Sequence, residues 1–151
     1  MTWEPVSNEL EIAIWSSGRI IWRDNPKEWV VTKGKWHWRS GKHFEATISP
    51  SRVVDMLQKI REARVLEIGK WWGYVVPDSS TRQIQVSDGN RVILLASTEI
   101  PPPNPHRKDA KEYERGRKAW FLIQKLAREL IPTKGRSVPS PDVVKWIRGP
   151  K

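Results

Sequence analysis

The sequence predicts an α+β fold: an antiparallel, meander-rich sheet packed on one face by an amphipathic helix, with a further helix toward the C-terminus. Three observations predict it. Short apolar stretches alternate with Gly- and Ser-containing turns over residues 10–48, one helical periodicity runs over 49–64, and a longer one follows a proline run at 101–105.

The first hairpin is read from Leu10 to Trp15, the turn Ser16-Ser17-Gly18, and Arg19-Ile20-Ile21-Trp22. A three-residue loop with Gly18 in the left-handed conformation sets Ile14 opposite Ile20 and adds Leu10, Ile12 and Trp22 to the same face. A two-residue loop would mix Ile20 and Trp22 with Ala13 and Trp15. The same argument at the Ser40-Gly41 turn predicts a hairpin uniting Trp36, Trp38, Phe44, Ala46 and Ile48. At Ser87-Asp88-Gly89 it unites Ile84, Val86, Val92 and Leu94.

Trp15, Trp22, Trp29 and Trp36 stand seven residues apart. Gly18, Pro26, Gly34 and Gly41 interrupt that spacing, which therefore describes a meander of short strands and not a coiled-coil seam, with further turns at Asn25-Pro26 and Lys33-Gly34. The large apolar area of each indole favours core and rim packing over an exposed ladder of rings.

Ser49 caps the next segment with its hydroxyl, and Pro50 suits a first helical position, where no backbone donor is required. Val53, Met56, Leu57, Ile60 and Ala63 form its apolar stripe; Arg52, Asp55, Lys59, Arg61 and Glu62 fall elsewhere. Val65–Ile68 and Trp72–Val76 are short apolar segments leading to the turn Pro77-Asp78-Ser79-Ser80. A strand pair follows over 82–86 and 92–96, with Gln83 and Gln85 alternating outward.

Pro101-Pro102-Pro103-Asn104-Pro105 imposes an extended, stiff link. Beyond it, Asp109–Ile131 has the period of a helix closed by Pro132, with Tyr113, Ala119, Trp120, Ile123, Ala127 and Leu130 on one face and Lys111, Arg115, Lys118 and Lys125 on the other. Phe121 and Leu122 lie off the apolar face, toward a final segment in which Ser140-Pro141-Asp142 starts a short helix through Val143, Val144 and Ile147. Lys134–Ser137 and 149–151 read as loop and tail. The expected organisation is a sheet with its helix over 1–100, a link over 101–106, and a basic helical segment over 107–151 docked on the same domain.

Composition narrows the function. The chain has 151 residues, no cysteine and a formal net charge of +10. Residues 1–100 hold fourteen basic against twelve acidic side chains, whereas 101–151 hold thirteen against five, so a polyanion would meet the last third first. Disulfides and thiolate metal sites are excluded. No apolar run approaches the ~20 residues that cross a bilayer, and no secretory signal is visible at the N-terminus, which leads us to expect a soluble, cytoplasmic protein.

Taken in order, Gly18-Arg19-Ile20-Ile21-Trp22, Ile48-Ser49-Pro50, Pro77-Asp78-Ser79-Ser80 before an Ile-x-Val strand, and Leu130-Ile131-Pro132 closing a helix give a chain that resembles a group of small uncharacterised bacterial α+β proteins. The likeness spans roughly 10–132. It implies the order strand pair, helix, strand pair, helix, and it brings no catalytic residue with it.

No catalytic constellation emerges from the residues themselves. His37, His43 and His106 are the only histidines, and three converging ligands are needed for zinc. Asp78, Ser79 and His43 make a triad on paper without a nucleophile elbow. Asp24, Glu45, Asp78 and Asp88 have simpler roles in turns and on strand surfaces, and no Gly-rich phosphate loop is present. The expectation is a non-enzymatic binding or protein-interaction module, with no cofactor and no metal, acting on a protein partner or on itself. The alternative is single-stranded nucleic acid, with Arg107, Lys108, Lys111, Arg115, Arg117 and Lys118 following phosphates and Trp36, Trp38, Trp71 and Trp72 stacking on bases. Carbohydrate binding through exposed Trp is a further alternative.

Overall fold

The computed structural model describes residues 10–24, 28–39, 41–74, 82–87, 91–98, 101–139 and 141. Along the chain follow β1 (Ile12–Ile14), β2 (Arg19–Arg23), β3 (Glu28–Thr32), β4 (Lys35–Arg39), β5 (His43–Thr47), α1 (Pro50–Glu62), β6 (Lys70–Trp72), β7 (Arg82–Ser87), β8 (Val92–Ser97), α2 (Ala110–Glu129) and β9 (Arg136–Val138). The fold is α+β, with mostly antiparallel strands. Residues 54–129 belong to one compact unit, and residues 10–53 with 130–141 to another.

The unit containing 10–53 is built on an antiparallel sheet in the order β1-β2-β5-β9. Its first turn has the expected three-residue loop: Ile14 pairs with Ile20 and Ile12 with Trp22, and Gly18 has a φ of 90°. The Gly18 N–H donates to the Trp15 carbonyl and the Trp15 N–H to the Arg19 carbonyl, each at 2.9 Å. A second constraint also demands glycine here. The Ile48 N–H donates to the Gly18 carbonyl at 2.8 Å, and a Cβ on Gly18 would run into the Ile48 carbonyl oxygen.

The expected hairpin across Ser40-Gly41 is not formed. β5 pairs with β2 instead, setting Phe44 opposite Trp22 and Ala46 opposite Ile20, with the Trp22 and Phe44 rings stacked at 5.9 Å between centroids. Trp36 and Trp38 lie opposite Val31 and Trp29 in a separate β3-β4 hairpin. The cause is local. Lys33 and Gly34 have φ of 52° and 73°, which makes a two-residue turn whose twist suits its strands and ties β4 to β3. That hairpin leaves the sheet as an excursion, closed at its neck by Asp24 N–H to Lys42 carbonyl at 3.0 Å and Lys42 N–H to Asp24 Oδ1 at 3.1 Å.

Arg136 and Ser137, expected as loop, form β9 with Val138 on the open edge of β5, with Glu45 opposite Arg136 and His43 opposite Val138. Arg-Ser-Val carries no strand pattern of its own; the exposed edge and the acid at Glu45 supply the reason. Gly135 admits the strand, because a Cβ there would overlap the Trp22 indole.

α1 begins as expected at Pro50, with Arg52 N–H closing on the Ser49 carbonyl at 3.0 Å and the Ser49 and Ser51 hydroxyls 2.8 Å apart. Its buried residues are Val53 and Ile60; Met56 and Leu57 are half-buried and Ala63 is exposed.

In the unit containing 54–129, β8 lies between β6, parallel to it, and β7, antiparallel to it. The hairpin register differs from expectation by three residues. A three-residue loop would set Ile84 opposite Val92, whereas Ile84 and Val86 face Leu95 and Ile93, so Val92 and Leu94 do not share their face. A slip by an odd number of positions exchanges every inward side chain, and the run Val92-Ile93-Leu94-Leu95 offers apolar residues to either choice. The realised one buries Ile93 and Leu95 completely and leaves Val92 exposed.

Against that face α2 sets Tyr113, Ala119, Trp120, Ile123 and Leu126, which join Ile60, Val65, Leu66, Trp71, Ile93 and Leu95 in one core cluster. Gly116 makes the contact close. A Cβ there would overlap the Trp71 indole, whose ring lies 5.6 Å from Tyr113 and 6.3 Å from Trp120 between centroids. The proline run is tied to the same helix: the Tyr113 hydroxyl donates to the Pro102 carbonyl at 2.7 Å and Arg117 Nε to the Pro101 carbonyl at 2.8 Å. Val65–Glu67 is a 3₁₀ turn. The expected turns at Asn25-Pro26 and Pro77-Asp78-Ser79-Ser80, and the helix through Val143, Val144 and Ile147, lie outside the described residues.

Two stability predictions follow from this packing. Gly116→Ala gains about 1 kcal/mol of helix propensity yet must displace Trp71, so we expect net destabilisation of roughly 1–3 kcal/mol in chemical denaturation; an unchanged or raised midpoint would refute the contact. Ile60→Ala is expected to cost about 2–5 kcal/mol, and Leu57→Ala, from a half-buried position, distinctly less; equal losses in the same titration would contradict the assigned burial.

Candidate functional site

The helix α2 turns Tyr113, Gly116, Ala119, Trp120, Ile123 and Leu126 inward. The 3.6-residue period then fixes what faces solvent. Lys111, Lys118 and Lys125 fall in one row at seven-residue intervals, spanning about 21 Å of helix at 1.5 Å per residue. Arg115 lies beside the row, and Arg128 one turn to its other side. Among the described residues Lys111, Lys118 and Lys125 enter no ion pair. Their ammonium groups are therefore presented to solvent, with Glu114 one turn before Lys118 and Glu129 one turn after Lys125.

The arginines are more committed. Arg107 grips Asp109 through two hydrogen bonds of 2.7 and 2.9 Å and lies 4.4 Å above the Tyr113 ring. The hydrogen-bonded partners hold the Asp109 carboxyl below its ordinary range and push the Arg107 guanidinium above its own. Arg115 donates to the Arg64 carbonyl at 3.2 Å and to Glu67 at 3.3 Å. Arg117 pairs with Glu114 at 3.2 Å and lies 5.1 Å over Phe121. Phe121, 38% exposed, borders a shallow depression lined by Gln124, Lys125, Arg128 and Glu129.

The residues expected to form one groove do not all meet. Lys111, Arg115 and Lys118 share the solvent face of α2, while Arg107 and Lys108 precede its first turn. Trp71 is only 6% exposed and belongs to the core under α2, whereas Trp72 is 53% exposed. Neighbours in a strand point to opposite faces, so Trp72 looks away from the helix that Trp71 supports. Trp36 and Trp38 belong to β4 by backbone, and their side chains lie outside the described set. Stacking rings and the lysine row therefore do not line a common channel in this unit. Lys125, Arg128 and Phe121 complete the exposed face; the same helical period could have placed all three.

The residues considered for catalysis have structural employment where they are described. His43 is buried, and its Nε2–H donates to the Leu10 carbonyl at 2.9 Å. Asp78, Ser79 and Asp88 lie outside the described residues. Glu45 accepts from Arg19 Nε at 2.5 Å on one oxygen and from Arg136 Nη2 at 3.0 Å on the other. Hydrogen bonds from the two guanidiniums, Arg19 first, hold its carboxyl below the ordinary value. It fastens β5 to β2 and β9. Among the described residues no three metal-ligating side chains converge.

No protein-family model, curated protein or solved structure matches the chain.

The lowered Glu45 pKa gives a pH prediction. A carboxyl whose folded value is depressed contributes stability above its unfolded value and loses it as pH falls through the folded one. Glu45→Gln should therefore destabilise the protein near neutral pH, and the gap between variant and wild type should close as pH drops below the ordinary glutamate value of 4.5 toward the lowered one. Thermal melts from pH 7 to pH 3 check this; a gap constant across the range would refute it.

Proposed function

We propose that this protein is a non-enzymatic binding module that engages an acidic protein surface through the solvent face of α2. The observation that carries the reading is the row Lys111, Lys118 and Lys125, whose side chains enter no ion pair among the described residues. Opposed charges steer encounter and fix orientation, and a straight helical row about 21 Å long suits a partner presenting carboxylates along one edge. Self-association through this face is disfavoured, because two copies would set lysines against lysines.

A nucleic-acid strand is the second reading, supported by the net charge of +10. The arrangement of rings weighs against it. Trp71 is buried behind α2, and the ring exposed on the helix, Phe121, is overlain by Arg117. No helix of the described residues is long and apolar enough to cross a membrane. With no cysteine in the chain, a reducing cytoplasm is the compartment we assign.

Binding to immobilised polyglutamate and to a single-stranded thymidine oligonucleotide of equal charge tests the choice. We expect tighter, salt-sensitive retention on polyglutamate, weakened about tenfold or more by Lys111→Glu with Lys118→Glu and Lys125→Glu at an unchanged melting midpoint. Equal retention of the triple variant would sink the reading, and stronger retention on the oligonucleotide would transfer it to nucleic acid.

A further inference from the structure

Between Lys118 and Lys125 the solvent face of α2 changes character. Phe121 stands three residues after the first and four before the second, 38% exposed in a row otherwise made of ammonium groups. The helical rise places it about 4.5 Å beyond Lys118 and about 6 Å short of Lys125. Its neighbour Leu122 packs against the core cluster, so the two residues expected off the apolar face are divided: one serves the fold and the other is left outside. Arg117 lies over one side of the Phe121 ring, 5.1 Å from its centroid, and the ring borders the shallow depression formed with Gln124, Lys125, Arg128 and Glu129.

Acidic side chains sit at the ends of this stretch and not inside it. Glu114 is engaged by Arg117, and Glu129 follows Lys125 by one turn. Positions 118–128 hold Lys118, Lys125 and Arg128 with no carboxylate among them. An apolar ring thus stands at the centre of a cationic rim, the arrangement in which a central contact excludes water and the surrounding charges orient the partner.

We infer that this stretch seats an acidic amphipathic helix of a partner protein, with one apolar side chain against Phe121 and a carboxylate one turn to either side, against Lys118 and Lys125. The inference rests on the α2 reading and specifies the shape of its partner. Two distances choose a helix. Lys118 and Lys125 are about 10.5 Å apart along α2, and a partner helix laid alongside repeats at the same two-turn interval. An extended segment repeats its same-face side chains at about 7 Å, so carboxylates in step with Lys118 fall out of step with Lys125. A helix also carries residues three and four apart on one face, the spacing by which Phe121 separates the two lysines. One apolar residue between two acids therefore meets the ring and both ammonium groups together. An acidic coil such as polyglutamate meets the lysines and leaves Phe121 in water. An anionic membrane calls for several apolar side chains to enter it; Tyr113 and Trp120 are buried, which leaves one aromatic ring on the exposed face of α2, already overlain by Arg117.

Fluorescence anisotropy of the full chain with labelled peptides, lactam-stapled to hold them helical, tests this. The peptides carry glutamates seven residues apart with a leucine three or four residues after the first; controls of equal length and charge replace the leucine by serine or shuffle the glutamates off that spacing. We expect one leucine placement to bind about tenfold or more tighter than both controls. Phe121→Ala should abolish that gain while leaving the affinity for the serine control and the melting midpoint unchanged. Equal affinity for all peptides, with salt-sensitive retention on polyglutamate intact, would overturn the helix and leave the α2 reading standing. Absence of binding to every peptide and to polyglutamate would overturn both. A leucine gain that survives Phe121→Ala, or tighter binding to phosphatidylserine vesicles than to any peptide, would likewise overturn the inference.

Discussion

The Trp71 indole occupies the space that a side chain at position 116 would fill, and the unit over 54–129 depends on that exchange of volume. A glycine inside a helix costs about 1 kcal/mol relative to alanine. Here it permits the flat ring of β6 to lie on the backbone of α2, beside Tyr113 and Trp120. The register of β8 is part of the same arrangement, since Leu95, opposite Trp71, is wholly buried. Among the described residues, Trp71 and Trp120 each bury an indole N–H that meets no hydrogen-bonding partner. Their contribution rests on packed area, which outweighs two unsatisfied donors only when the rings fit closely.

The other unit is held differently. Its sheet joins residues from distant parts of the chain, and Glu45 stands where three of its strands meet, taking Arg19 from β2 and Arg136 from β9. Both guanidiniums are substantially exposed, so solvent screens each pair. Their effect is to fix register: β9 is three residues long with no apolar pattern, and the ion pair gives it a preferred alignment on β5. Trp22 supplies the apolar counterpart, stacking on Phe44 and filling the space above Gly135.

What was legible in the sequence follows from how local each decision is. The β1-β2 turn was readable because Gly18 and the flanking isoleucines settle it within nine residues. α1 and α2 were readable from period and proline, and so was the lysine row; the Ser49 hydroxyl expected to cap α1 meets the Ser51 hydroxyl instead. The partner of β5 was not, because the sequence offers turns at both Lys33-Gly34 and Ser40-Gly41, and β4 can close only one of them; β5 then pairs with β2, whose Trp22 lies 22 residues from Phe44. The β7-β8 register was not, because an unbroken apolar run fits either phase and the surrounding core selects one. The separation of Trp71 from Trp72 was available in principle from strand alternation alone; adjacency in sequence obscured it.

Because β9 lies beyond α2, the sheet built on β2 and β5 is interrupted by the whole of residues 54–129. A chain leaving the ribosome N-terminus first therefore carries β5 with one unpaired flank until α2 has been made and residues 136–138 emerge. Over that interval the inserted unit, continuous from 54 to 129, has all its described strands and helices in hand, while its neighbour waits for its last strand. The order of synthesis thus becomes an order of assembly, and the vulnerable moment, an open β5 edge exposed to foreign strands, ends when Arg136 reaches Glu45.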